Sequence, residues 1–159
     1  MKIKKKEVEQ RMKYFETVCH DKGIKLTHQR MEIFREIAQT EDHPDADRVF
    51  QRVRGRIPTV SLDTVYRTLW LLKDLGLVVT LSSSRERTRF DANLQTHHHF
   101  VCEQCGFTRD FFSDDLDTIR LPDSVGSLGE IKATHVEVRG ICRKCAENRK
   151  HIGPNALYP

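Results

Sequence analysis

Ser61-Leu62-Asp63-Thr64-Val65-Tyr66-Arg67-Thr68-Leu69-Trp70-Leu71-Leu72-Lys73-Asp74-Leu75-Gly76 reads as one helix with both ends marked. Ser61 offers a side-chain oxygen to the first unpaired N–H groups, and Gly76 provides the stop. Val65, Leu69 and Leu72 recur at helical spacing and make the buried stripe. The opposite face holds Asp63, Thr64, Tyr66, Arg67 and Lys73, donors and an aromatic ring suited to phosphates, base edges and thymine methyls. An ordinary solvated helix face would look similar, so this reading depends on what surrounds the helix.

The segment Leu77-Val78-Val79-Thr80-Leu81, a polar tip Ser82-Ser83-Ser84-Arg85-Glu86, and Arg87-Thr88-Arg89-Phe90 together predict a hairpin after that helix. Three helices are expected before it. Val8, Met12, Phe15 and Val18 line the first, which ends before Gly23. Thr27 caps a second, with Met31, Phe34, Ile37 and Ala38 on its apolar face. His43-Pro44 breaks that run, Asp45 caps a third carrying Val49, Phe50 and Val53, and Ile57-Pro58 closes it. Short helices followed by a hairpin with a basic tip outline a winged helix-turn-helix, whose last helix enters the major groove.

Charge agrees with that division. Residues 1–90 hold 19 Lys and Arg against 13 Asp and Glu, whereas residues 91–159 hold 8 against 10. A basic front joined to a mildly acidic back suggests that the front meets a polyanion. No apolar run approaches the roughly 20 residues that span a bilayer, and the start Met1-Lys2-Ile3-Lys4-Lys5-Lys6 lacks the apolar core of a signal peptide. The expectation is a cytoplasmic protein with no membrane partner and reduced thiols.

Those thiols are informative. Cys102 and Cys105 form one CxxC pair and Cys142 and Cys145 another, the spacing of a tetrahedral four-cysteine zinc site. A redox CxxC opens a helix after a buried strand, but Cys105 is followed by Gly106 and the strand-like run Phe107 to Phe112. Four thiolates leave no open position, so the zinc is structural. Cys19 shares an apolar helix face with Val8, Met12 and Phe15 and reads as a core residue.

The segment Ser61 to Leu69 combines with Thr27-His28-Gln29-Arg30, His43-Pro44-Asp45-Ala46-Asp47, Arg89-Phe90-Asp91, His97-His98-His99-Phe100-Val101-Cys102-Glu103-Gln104-Cys105-Gly106 and Gly140-Ile141-Cys142-Arg143-Lys144-Cys145. Together they resemble the ferric uptake regulator family over about residues 8 to 147. The resemblance implies an α+β chain: an N-terminal winged-helix DNA-binding domain (1–90), a hinge (91–96), a C-terminal α/β dimerisation domain with the zinc site (97–147), and a flexible tail (148–159). It also implies a homodimer that binds double-stranded DNA with an inverted repeat when loaded with metal, and usually represses. Tyr66 and Arg67 match the family's recognition-helix contacts, and Lys25 a basic residue that reaches the minor groove.

By the same resemblance, His43, Asp91, His97, His99 and Asp110 form a regulatory metal site. Strand alternation agrees in placing His97 and His99 on one face and His98 on the other. A nitrogen and oxygen donor set without sulfur suits Fe²⁺, Mn²⁺ or Zn²⁺ and disfavours Cu⁺. An ion bound from both sides of the hinge would select one of its settings. Aspartate at both 91 and 110 resembles the family's peroxide regulators, which implies that Fe²⁺ and hydrogen peroxide oxidise His43 or His97, whereas Mn²⁺ does not. The alternatives are iron or other metal sensing without peroxide chemistry and, more distantly, a metalloenzyme, against which stand the lack of a motif such as HExxH and the split ligand set. A further site found in some relatives falls on Thr96, His98 and Asp117, but His135 is one residue out of register with its usual ligand.

Overall fold

The helix starts expected from capping residues are found with the caps made. In the computed structural model, which describes residues 3–81, 88–131 and 133–151, four helices come first: α1 (Lys5–Asp21), α2 (His28–Ala38), α3 (Ala46–Arg54) and α4 (Leu62–Asp74). Thr27, Asp45 and Ser61 accept the backbone N–H groups of Arg30, Arg48 and Thr64 at 3.3, 2.8 and 3.1 Å. Gly23 and Gly76, just past the ends of α1 and α4, have φ of 64° and 71°, where a side chain would be strained.

The four amphipathic helices bury their stripes against one another. Phe15 of α1 stacks on Phe34 of α2 at 4.7 Å, and Val49, Val53, Val65, Leu69 and Leu72 complete the core with Cys19 among them. Ile33 and Glu36 are buried on α2 and Met31 only half-buried, because this helix is covered on more than one side and the buried stripe is wider than a single row. The wing follows as β1 (Val79–Leu81) and β2 (Arg89–Asp91), antiparallel with Thr80 opposite Phe90. The expected hairpin tip, Ser82 to Glu86, lies outside the described residues. Trp70 of α4 meets Phe90 of β2 edge-on at 6.1 Å, which fixes the wing to the helix.

The chain divides between Leu94 and Gln95 into two compact units. In the second, β3 (His98–Cys102) is the central strand of a three-stranded sheet, antiparallel to β4 (Thr108–Phe111) and parallel to β5 (Glu137–Gly140). A parallel partner needs a crossover, and residues 112–136 provide it with two one-turn helices, α5 (Asp114–Asp117) and α6 (Asp123–Gly126). Helix α7 (Arg143–His151) follows, carrying the chain past residue 148, where the sequence reading starts the tail; Gly153 and Pro154 lie outside the described residues. The whole is a winged helix-turn-helix domain followed by a mixed α/β domain. Among the described residues no helix is long and apolar enough to cross a membrane.

Candidate metal centres and nucleic-acid face

The cysteine pairs meet because β3 and β5 run in parallel register, with Cys102 beside Gly140, so both strands deliver a knuckle at the same end of the sheet. Gly106 N–H closes the first knuckle onto Cys102 O at 2.8 Å, with Gly106 at φ 71°. One sulfur from each of the four cysteines lies within 4.8 Å of the others, and Cys105 Sγ is 3.7 Å from Cys142 Sγ. A tetrahedron with Zn–S near 2.3 Å has an edge of about 3.8 Å, so the spacing fits zinc and is far too long for a disulfide. The pKa of Cys102 is lowered to about 6, chiefly because the Cys142 N–H donates to its sulfur at 3.3 Å, with the Cys105 N–H assisting. Cys145 is pushed up to about 12 by its hydrogen bond with Cys105 and by burial. One thiol is thus ready to ligate, whereas another keeps its proton until a metal displaces it.

A second donor set lies on the same unit. His99 of β3 faces Asp110 of β4 directly across the ladder, and His97 shares its face by alternation. His97 Nε2 and His99 Nε2 are 2.9 Å apart, and Asp110 Oδ1 lies 3.9 and 3.6 Å from them. His97 Nδ1–H donates to Gln95 O at 2.6 Å, which leaves the Nε2 lone pair turned towards the other donors.

The first unit repeats the device. His43 Nδ1–H donates to Glu41 O at 3.0 Å, and its Nε2 lone pair faces Asp91 Oδ2 at 3.5 Å, both side chains being buried. An imidazole nitrogen and a carboxylate oxygen on this spacing are donors that a divalent metal can take together. His43 is the one described non-glycine residue at positive φ, 49°, a conformation that costs an ordinary residue roughly 1–2 kcal/mol. Asp91 is held in turn, its Oδ1 accepting Asn93 N–H at 2.7 Å. The orienting carbonyls of Glu41 and Gln95 have no side-chain signature; the common feature is that each lies two residues before its histidine.

The remaining histidines separate. His98 is fully buried on the opposite face of β3; its Nδ1 accepts Val136 N–H at 3.1 Å, so the proton sits on Nε2, 3.1 Å from Asp117 Oδ1. His135 is on the other side, 6.1 Å from His99 ring to ring, and Thr96 is exposed. The one-residue register difference seen in the sequence therefore places His135 with His99 and away from His98.

On α4, Tyr66 and Arg67 are exposed and Thr64 is half-buried beside the Ser61 cap. Arg67 reaches back to Asp63 at 3.0 Å, an exposed pair one helical turn apart that costs little to break. Lys25 is exposed in the α1–α2 turn, where its carbonyl accepts Arg30 Nη1–H at 2.6 Å. Trp70, 42% exposed, extends the same face; its place one turn after Tyr66 is the sequence signal for it.

A winged helix with a polar aromatic recognition face, joined to a domain bearing a four-cysteine centre and sulfur-free histidine and aspartate donors, defines a metal-responsive DNA-binding regulator. Residues 21–125 match the ferric uptake regulator family. The peroxide-responsive repressor PerR of Staphylococcus epidermidis is 33% identical over 127 residues, spanning 79% of this chain and 83% of that protein. Among solved structures, PerR from Streptococcus pyogenes, described in terms of peroxide sensing and gene regulation, is 27% identical with a TM-score of 0.51 and covers 91% of this chain and 95% of its own. The Helicobacter pylori ferric uptake regulator Fur shares the fold with a TM-score of 0.70 at 18% identity, over 87% of this chain and 93% of its own. The chain belongs to the ferric uptake regulator family, whose members are metal-responsive transcriptional regulators rather than enzymes.

Proposed function

We propose that the protein is a metal-dependent homodimeric repressor that binds inverted-repeat DNA in the cytoplasm and senses hydrogen peroxide through iron-dependent oxidation of His43 or His97. The observation that carries this reading is the orientation of the histidines: carbonyls hold the Nδ1 protons of His43 and His97, so each presents an Nε2 lone pair beside a carboxylate. His43 and Asp91 supply one part of the regulatory site, and His97, His99 and Asp110 supply the other. An ion that needs both parts is bound only in settings of the two units that bring them together, which links metal occupancy to operator fit.

Zinc on Cys102, Cys105, Cys142 and Cys145 stays structural. Thr64, Tyr66 and Arg67 read the major groove and Lys25 reaches the minor groove, once in each half-site of a two-fold operator. His43, Asp91, His97, His99 and Asp110 would hold the ion. Bound Fe²⁺ supplies the reduction of hydrogen peroxide, which Mn²⁺ does not. The likeness to proteins named peroxide-responsive repressors supports the same assignment. An oxidised His43 or His97 would no longer present its lone pair to the ion, which would weaken binding and relieve repression.

The test is peptide mass spectrometry on protein loaded anaerobically with Fe²⁺ and exposed to hydrogen peroxide, beside a Mn²⁺ control. One added oxygen on the peptide holding His43 or His97, in the iron sample alone, is the expected result. Unmodified histidines with iron still bound would reduce the function to metal sensing without peroxide chemistry.

A further inference from the structure

The turn that carries His43 is tied to the helices by a ladder of charges. Arg56 of the α3–α4 connection pairs with Glu32 at 2.7 Å and with Glu36 at 2.8 Å, both on α2. Arg52 of α3 takes the other oxygen of Glu36 at 3.5 Å and reaches Asp42 at 3.1 Å. Glu36 is buried, so the inner end of the ladder is fixed by the core, and Asp42 is its outer end.

Asp42 is the residue immediately before His43. Its N–H donates to Thr40 Oγ1 at 3.2 Å, and its carbonyl accepts Arg89 Nη1–H at 3.4 Å. On the far side of His43, the Pro44 carbonyl accepts Phe90 N–H at 3.1 Å. Between these ties His43 holds its φ of 49°, which an L-residue seldom adopts unless its surroundings impose it. The ion pair to Arg52 anchors the turn, through a side chain, to the helical core.

We propose that Arg52 is a positioning residue for His43: by joining Asp42 to Glu36 it holds the left-handed turn that aims His43 Nε2 at Asp91. The proposal rests on the reading of His43 as a ligand of the regulatory ion. The tether is a direct contact, with Arg52 Nη2–H donating to Asp42 Oδ2 at 3.1 Å. Groups that orient a metal-binding histidine typically contribute 10–100-fold to affinity, which sets the size of effect to expect here.

The experiment measures Mn²⁺ affinity, zinc content and the melting of the Mn²⁺-free, zinc-loaded protein for H43A, R52Q, R52K and D42N. R52Q and D42N should bind Mn²⁺ about tenfold or more weakly while keeping zinc and a cooperative melt, and R52K, which leaves a cation beside Asp42, should recover most of the affinity. D42N changes volume little and decides the matter if R52Q does not fold. Mn²⁺ binding by R52Q or D42N as tight as wild type, with H43A weakened, overturns the positioning role alone. Wild-type binding by H43A overturns the ligand reading and this proposal with it.

Discussion

His99 and Asp110 stand opposite each other across the β3–β4 ladder, His99 Nε2 lying 3.6 Å from Asp110 Oδ1. Eleven positions apart in the chain, they are neighbours because the Cys102–Phe107 knuckle sets the hairpin register. The turn that carries Cys102 and Cys105 therefore aligns part of the other donor set, so losing zinc should disturb both sets whereas losing a histidine or aspartate should disturb one.

Replacing His99 or Asp110 by alanine should weaken Mn²⁺ binding by more than about tenfold, since loss of a ligand exceeds the loss of a group behind it. Zinc content should stay at the wild-type value. Elemental analysis with Mn²⁺ titration checks both; a variant that loses zinc as well would show the two sites to be one cooperative structure.

Cys142→Ser should lose zinc and, with it, the donors that the sheet holds in place. A structural zinc brings on the order of 10 kcal/mol of folding free energy, so the sheet of the second unit should lose its protected amides by hydrogen exchange. Helices α1 to α4 have their own core and should keep theirs. Uniform loss of protection along the chain would mean that the first unit does not stand alone.

Tyr66→Ala and Arg67→Ala should each weaken operator binding by about 1–3 kcal/mol if they meet base edges. Arg67 gives up only an exposed pair with Asp63, so its removal should not lower the melting temperature measurably. Salt-dependent binding measurements to an inverted-repeat duplex decide this, together with Mn²⁺ titration to show that the metal sites are intact.

Acid should loosen the first unit through its charge ladder. Burial raises Glu32 and Asp42, but the hydrogen bonds and charges from Arg56 and Arg35 on Glu32, and from Arg52 on Asp42, leave both carboxyls lower in the folded state than in the unfolded chain. Their contribution is complete above the unfolded values of about 4 and disappears as pH falls through the lower folded values. The single tryptophan, Trp70, reports on this unit by its fluorescence. An E32Q/D42N variant should be less stable at pH 6 and should converge on wild type towards pH 3; a constant difference would locate the effect elsewhere.

Much of the first unit was legible because its determinants are local. Thr27, Asp45 and Ser61 mark helix starts within three residues of the groups they cap, and the stripe Val65, Leu69 and Leu72 needs no knowledge of its partner. The position of Arg52 was not legible, because its role depends on a side chain sixteen positions upstream on another helix, Glu36. Strand β5 escaped for a similar reason: Glu137-Val138-Arg139-Gly140 is short and mostly polar, and it is a strand because β3 offers it a parallel edge.

By itself the sequence determined the four helices and the capped starts of three of them, though α2 and α3 end at Ala38 and Arg54, before the His43-Pro44 and Ile57-Pro58 breaks expected to close them; it also determined the pairing of two CxxC motifs for one metal, and the common face of His97 and His99. Each follows from chain geometry over a few residues, where capping, tetrahedral ligand spacing and the two-residue strand period operate. Only the tertiary structure decided that Asp110 meets His99, that His98 turns to Val136 and Asp117 while His135 joins His99, and that Asp42 is tethered through Arg52. Those choices depend on strand register and on distant charges, which no local period encodes and which are settled when hydrogen bonds and buried charges must all find partners at once.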